Sequence, residues 1–123
     1  DAKGKYKRVF GNPYNIKEFR CCMKISHGST LHNRKLFDEL GNFDISFKIC
    51  ADYEFWLRKK WNARYIETPT IAMQVGGVSN TIRGLWESFK VKRYCKSIPL
   101  LLNVYYLTKG VIGYYMRKIK IIN

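Results

Sequence analysis

The sequence predicts an α/β domain in which helices pack on a short mixed sheet, followed by a basic helical extension. Three observations lead there. Short apolar runs bounded by turn residues, at 21–26, 29–32, 64–68 and 70–75, read as strands. An apolar stripe at helical spacing, Tyr53, Trp56, Leu57 and Trp61, reads as a core helix. From Ile82 onward the composition shifts to aromatic, aliphatic and basic residues.

Each element has a local signal. Residues 1–20 are polar and punctuated by Gly4 and Gly11-Asn12-Pro13, which predicts a long loop with one turn of helix near 16–19. The strand over 21–26 and 29–32 bends at Gly28. Asn33 is placed to cap a short helix over 34–40, with Leu36, Phe37 and Leu40 on one face and Gly41 as its stop. Residues 44–49 connect to the helix 51–61, which Asn62 ends. Asp52 precedes the apolar stripe by one residue and so falls in the first turn, at the edge of the packed face. Two strands then flank Pro69, a helix covers 82–96, and across Pro99 a last helical segment covers 100–122. The division this gives is 1–81 as one domain, with 1–20 as loop, and 82–123 as the extension.

A chain of 123 residues with 46% hydrophobic content has room for one core and the residues to fill it. The net charge of +14 calls for an anionic partner: a membrane face, nucleic acid or a phosphorylated ligand. From Arg83 to the end there are nine Lys and Arg against the single acid Glu87, a net +8, so more than half of the excess lies in this third. The apolar run 98–106 is short and Lys109 interrupts 100–116, which leaves too few apolar residues for a spanning helix and favours a basic amphipathic helix on a surface. Cys21, Cys22, Cys50 and Cys95 lack zinc-ligand spacing and read as free thiols in a reducing cytosol.

Polar groups recur at the ends of these short elements: His27; Arg34-Lys35-Leu36-Phe37; Gly41-Asn42-Phe43-Asp44; Asp52-Tyr53-Glu54; and Gly76-Gly77-Val78-Ser79. In that order and at those spacings, over roughly residues 20–90, the chain resembles the acceptor-side, C-terminal half of family 2 glycosyltransferases, inverting nucleotide-sugar-dependent enzymes of the GT-A fold. The resemblance implies that Asp52 is the catalytic base. It implies donor or acceptor binding for His27, Arg34, Lys35, Glu54, Gly76, Gly77 and Ser79, with His27 also a candidate for an additional metal contact. The implied cofactor is a divalent metal, Mg or Mn, held in the full-length enzyme mostly by an Asp-x-Asp motif. Neither that motif nor a strand–Gly–helix phosphate cradle occurs in these 123 residues. The expectation is therefore a C-terminal piece of a longer enzyme, opening in mid-loop at Asp1-Ala2-Lys3-Gly4, inactive alone and not itself the metal binder. The implied partners are a nucleotide-sugar donor and a saccharide or lipid-linked acceptor in cell-surface polysaccharide synthesis. The implied location is cytoplasmic, peripheral at the inner face of the cell membrane.

Inverting transfer needs one carboxylate to take the proton of an acceptor hydroxyl as that oxygen attacks the anomeric carbon. Asp52 suits this by position, and equally suits a capping acid at a helix start. Glu54, two residues on, faces another side of the helix, as an acceptor-side group or as a solvated or Arg-paired acid. His27 beside Gly28 can reach a ligand or serve as a capping or core histidine, while His32 reads as a strand-edge residue. Arg34 and Lys35 can neutralise a diphosphate at a helix start or form a solvated basic turn. The Gly76-Gly77 pair can shape a loop over the site. In the extension, Trp86, Phe89, Lys90, Lys92, Arg93 and Tyr94 alternate as a nucleic-acid binder's residues do, but match no recognised module, so an anionic membrane ranks above nucleic acid. The alternative function is a non-catalytic basic module that binds membrane or nucleic acid.

Overall fold

A computed structural model describes residues 11–72 and 77–122. Five helices follow one another: α1 (Ile16–Cys21), α2 (Lys35–Leu40), α3 (Ala51–Leu57), α4 (Ile82–Tyr94) and α5 (Leu100–Ile122), with 3-10 turns at His27–Ser29 and Val78–Asn80. Among the described residues there is no strand and no sheet. The predicted α/β class, with its mixed sheet and GT-A-like architecture, is therefore corrected to an all-helical one.

Local hydrogen bonding explains part of the correction. At the predicted bent strand the N–H groups of Ser29 and Thr30 bond back to the carbonyls of Ser26 and His27, at 3.1 and 3.0 Å. The hydroxyls of Ser29 and Thr30 both donate to Ser26 O at 3.0 Å. Backbone N–H groups that a ladder would use are spent within one turn, and the hydroxyls take up the Ser26 carbonyl beside them. Residues 64–72 carry short apolar runs on either side of Pro69, but a strand needs a neighbour about 4.8 Å away to take up its backbone groups, and none runs beside them among the described residues. Residues 73–75 of the predicted last strand, and 1–10 of the predicted loop, lie outside the described residues.

Caps set the helix starts. Asn15 Oδ1 accepts from Lys17 N at 3.0 Å and opens α1, Asn33 Oδ1 accepts from Lys35 N at 3.1 Å before α2, and Thr81 Oγ1 accepts from Gly84 N at 3.2 Å to open α4. Gly41, at φ 75°, ends α2. The helix predicted over 51–61 stops at Leu57. Its last turn is replaced by side chains: the Trp61 indole donates to Trp56 O at 2.6 Å, and Arg58 Nη1 donates to Leu40 O at 2.7 Å and Asn42 O at 3.0 Å. Arg58 thereby places a cation at the C-terminal end of α2, where the carbonyls lack helical partners.

The core is small and aromatic, built from Phe19, Tyr53, Phe55, Trp56 and Val91. Phe19 meets the Tyr53 ring edge-on at 5.4 Å and stacks on Trp56 at 5.5 Å, while Phe55 stacks on Phe37 at 5.2 Å. The Tyr53 hydroxyl donates to Phe19 O at 2.8 Å, and burial raises its pKa. With Tyr53, Glu54, Phe55 and Trp56 all buried, α3 is enclosed rather than amphipathic. α4 lies against α3 on one side and along α5 on the other. Asn103, fully buried, pins α5 by donating to Phe89 O at 3.0 Å. Lys92 is buried too: its ammonium donates to Cys21 O at 3.1 Å over the Tyr106 ring, and burial lowers its pKa. No helix among the described residues is long and apolar enough to cross a membrane.

Candidate functional site

The N-terminal end of α3 forms one wall of an open concavity of about 280 Å³, lined by His27, Phe43, Ile49, Ala51 and Asp52. Its carboxylate comes from Asp52, second residue of α3 and half-buried, whose Oδ1 accepts from Tyr53 N at 2.8 Å. Its imidazole comes from the 3-10 turn His27–Ser29, and the exposed His27 ring meets Phe43 edge-on at 5.6 Å. Phe43 belongs to the Gly41-Asn42-Phe43-Asp44 turn, which Asp44 closes by accepting from Ser46 N at 2.9 Å. Two residues far apart in sequence thus share one concavity with an apolar floor, a setting in which a carboxylate can take a proton from a hydroxyl placed above it.

The α3 wall is held from a distance. The Glu87 carboxylate, on α4, accepts from Lys48 N at 3.0 Å, from Cys50 N at 2.7 Å and from Ile49 N between them. Cys50 stands at the N-cap position without a capping side chain of its own, so Glu87 supplies the cap from another helix. Its charge lies where the α3 dipole favours an anion. Burial, then the Glu87 and Asp52 carboxylates, push the Cys50 thiol up to about 12, which keeps it protonated and unreactive at neutral pH. Sequence reasoning passed over Glu87 as a capping group; its one signal was being the only acid in an otherwise basic third. Phe43, Ile49 and Ala51 were also missed as lining residues, because only the folded chain brings them beside Asp52.

The other nominated residues stand elsewhere. Glu54 is buried and gripped by Arg58, whose Nε and Nη2 donate to its two oxygens at 3.0 and 2.7 Å, so of its alternatives the Arg-paired acid is what forms. Arg34 and Lys35 are exposed at the start of α2, Gly77 and Ser79 are exposed ahead of α4, and none of the four lines the concavity. Gly76 lies outside the described residues. His32, read as a strand-edge residue, instead sits in the aromatic cluster, 5.4 Å from the His27 ring and 5.5 Å from Trp56. Its pKa is lowered, by burial first and then by His27.

The donors at the concavity, one carboxylate and one imidazole, do not fit the oxygen-rich shell of Mg or Mn, and no group of three His, Cys, Asp or Glu able to hold a metal occurs among the described residues. No family model, curated protein or solved structure matches the chain.

Proposed function

We propose that this chain contributes the acceptor side of a nucleotide-sugar-dependent inverting glycosyltransferase, with Asp52 as the base. The observation that carries the reading is the meeting of Asp52 and His27 on one concavity, in a chain that bears the five polar groups of the resemblance in order. In the proposed step an acceptor hydroxyl sits above the α3 N-terminus. Asp52 takes its proton, the freed oxygen electron pair forms the new bond to the anomeric carbon, and the bond from that carbon to the diphosphate breaks, its electron pair leaving with the nucleoside diphosphate. His27 and Phe43 border the acceptor, the first as a polar contact and the second as an apolar surface for a sugar face. Glu87 acts at one remove, by fixing the backbone turn that presents Asp52. The acceptor class that the resemblance implies is saccharide or lipid-linked, and the strongly basic chain suits a place at the inner, anionic face of the cell membrane.

The test is nucleoside diphosphate release by the full-length protein containing this chain, supplied with a panel of UDP-, GDP- and dTDP-sugars and lipid-linked acceptors. Asp52→Asn is expected to lower turnover by about 100-fold or more while the fold persists, since general-base assistance contributes roughly 10²–10⁴. Near wild-type turnover in Asp52→Asn would defeat the assignment.

A further inference from the structure

On α5 the residues that pack inward are Asn103, Leu107, Gly110 and Tyr114, all buried or half-buried. At 100° per residue the opposite direction is occupied by Leu101, Tyr105, Ile112, Tyr115, Met116 and Ile119. All six are exposed, Leu101 at 86% and the rest between 54% and 60%. With the exposed Thr108 among them, its hydroxyl bonded back to Val104 O and Tyr105 O, they form one largely apolar strip along 19 residues of helix, roughly 27 Å. Lys109 stands on one edge of it, its ammonium over the Tyr105 ring at 5.9 Å, while Lys118 leans toward the inward side, over the Tyr114 ring at 5.1 Å. α5 carries no acid at all.

We propose that this outward face of α5 lies flat on an anionic lipid bilayer, with the strip inserted to headgroup depth and Lys109, at its edge, on acidic headgroups. The inference rests on the peripheral-membrane part of the proposed function and on none of its chemistry. Length and composition select this mode: the helix cannot span, yet its face offers the wide apolar strip, interfacial tyrosines and an edge lysine that an interfacial helix uses. Charge selects the occupant. A second copy laid face to face would bring like-charged edges together with no acid on either α5 to offset them, whereas acidic lipid complements both the lysines and the net +14 of the chain. Nucleic acid would use the lysines and leave the apolar strip in water. The assignment is narrower than basic helices in general: α4 is held between α3 and α5, with Val91 and Lys92 buried, so the inserting element is α5 alone.

The experiment is co-flotation of the 123-residue chain with phosphatidylcholine vesicles with and without phosphatidylglycerol, at physiological ionic strength. Retention is expected on the acidic vesicles and not on the neutral ones. Leu101→Asp and Ile112→Asp, at positions too exposed to disturb packing, should each lower partitioning by about tenfold or more with the helical circular dichroism unchanged. Lys109→Glu should lower it by roughly thirtyfold, while Lys60→Glu, the same charge change on another exposed site, should have far less effect. Three results would overturn the proposal. They are equal losses from Lys60→Glu and Lys109→Glu, tighter retention on duplex DNA than on acidic vesicles, and a dimer abolished by Ile112→Asp without vesicle binding. Each is read without any sugar-transfer assay, so failure here leaves the Asp52 assignment to its own test.

Discussion

Glu87→Ala removes one side chain and uncaps a helix on another element. The wild-type carboxylate accepts from three consecutive N–H groups, Lys48, Ile49 and Cys50. In the variant the Lys48 donor, on an exposed residue, turns to water at little cost, whereas Ile49 and Cys50 are half-buried. Each donor left short costs about 1–3 kcal/mol, and loss of a cap costs typically about 1 kcal/mol. Partial rehydration brings the expected sum to about 2–4 kcal/mol, a large share of the roughly 5–15 kcal/mol that holds an ordinary domain. Glu87→Gln, which keeps an acceptor oxygen but loses the charge and turns an NH₂ group toward one of the donors, should lose about half as much. Urea unfolding of the 123-residue chain gives the global value. Amide hydrogen exchange gives the local one, with Lys48, Ile49 and Cys50 losing protection ahead of the α4–α5 pair. A Glu87→Ala chain within about 0.5 kcal/mol of wild type, or uniform loss of protection without a local excess, would refute the claim that this carboxylate organises the α3 N-terminus.

Two glycines should respond differently to the same change. A Cβ on Gly84 would sit 2.6 Å from the backbone oxygen of Ser79, so Gly84→Ala should destabilise by about 1–3 kcal/mol despite alanine's advantage of about 1 kcal/mol inside a helix. On Gly110 the close atom, at 2.9 Å, is the end of the flexible Leu85 side chain, so Gly110→Ala should stay within about 1 kcal/mol of wild type; urea midpoints of the two variants compare them directly. For His32, whose folded pKa is lowered by burial and by His27, the unfolded chain binds the proton first as pH falls. Its contribution is therefore complete above the ordinary histidine value of about 6.5 and is lost as pH falls through the folded pKa. His32→Phe should flatten the decline in urea midpoint between neutral and mildly acidic pH relative to wild type, and an unchanged slope would assign that decline to other groups.

Much of the helical half was legible residue by residue. Asn33 as a cap, Gly41 as a stop, the break at Pro99 and the burial of Tyr53 and Trp56 follow from turn chemistry and spacing, which act over a few residues and need no tertiary partner. The sheet was misread because a short apolar run bounded by turn residues records only that a segment could pleat. Pairing depends on a neighbouring strand, and in 27–30 the local Ser and Thr bonds win instead. The length of α3 was overestimated because the Tyr53–Trp61 stripe is real packing, but Trp61 joins the core from beyond the helix end and donates its indole N–H back to Trp56 O.

The sequence by itself determined a single-core, strongly basic chain, its charge concentrated beyond Ile82, and placed Asp52 at a helix start. Those are properties of composition and of contacts within one turn. Only the tertiary structure decided that Asp52 and His27 share a concavity, that Glu54 is taken by Arg58, that Glu87 caps a helix nearly forty residues earlier, and which face of α5 is left apolar and open. Each of these depends on how α3, α4 and α5 pack side against side, and one linear pattern of apolar residues is compatible with several such packings. Carboxylates make the point most plainly: Asp52, Glu54 and Glu87 are alike as acids in the chain, and their partners in space, a concavity, a guanidinium and a row of backbone amides, give them three different tasks.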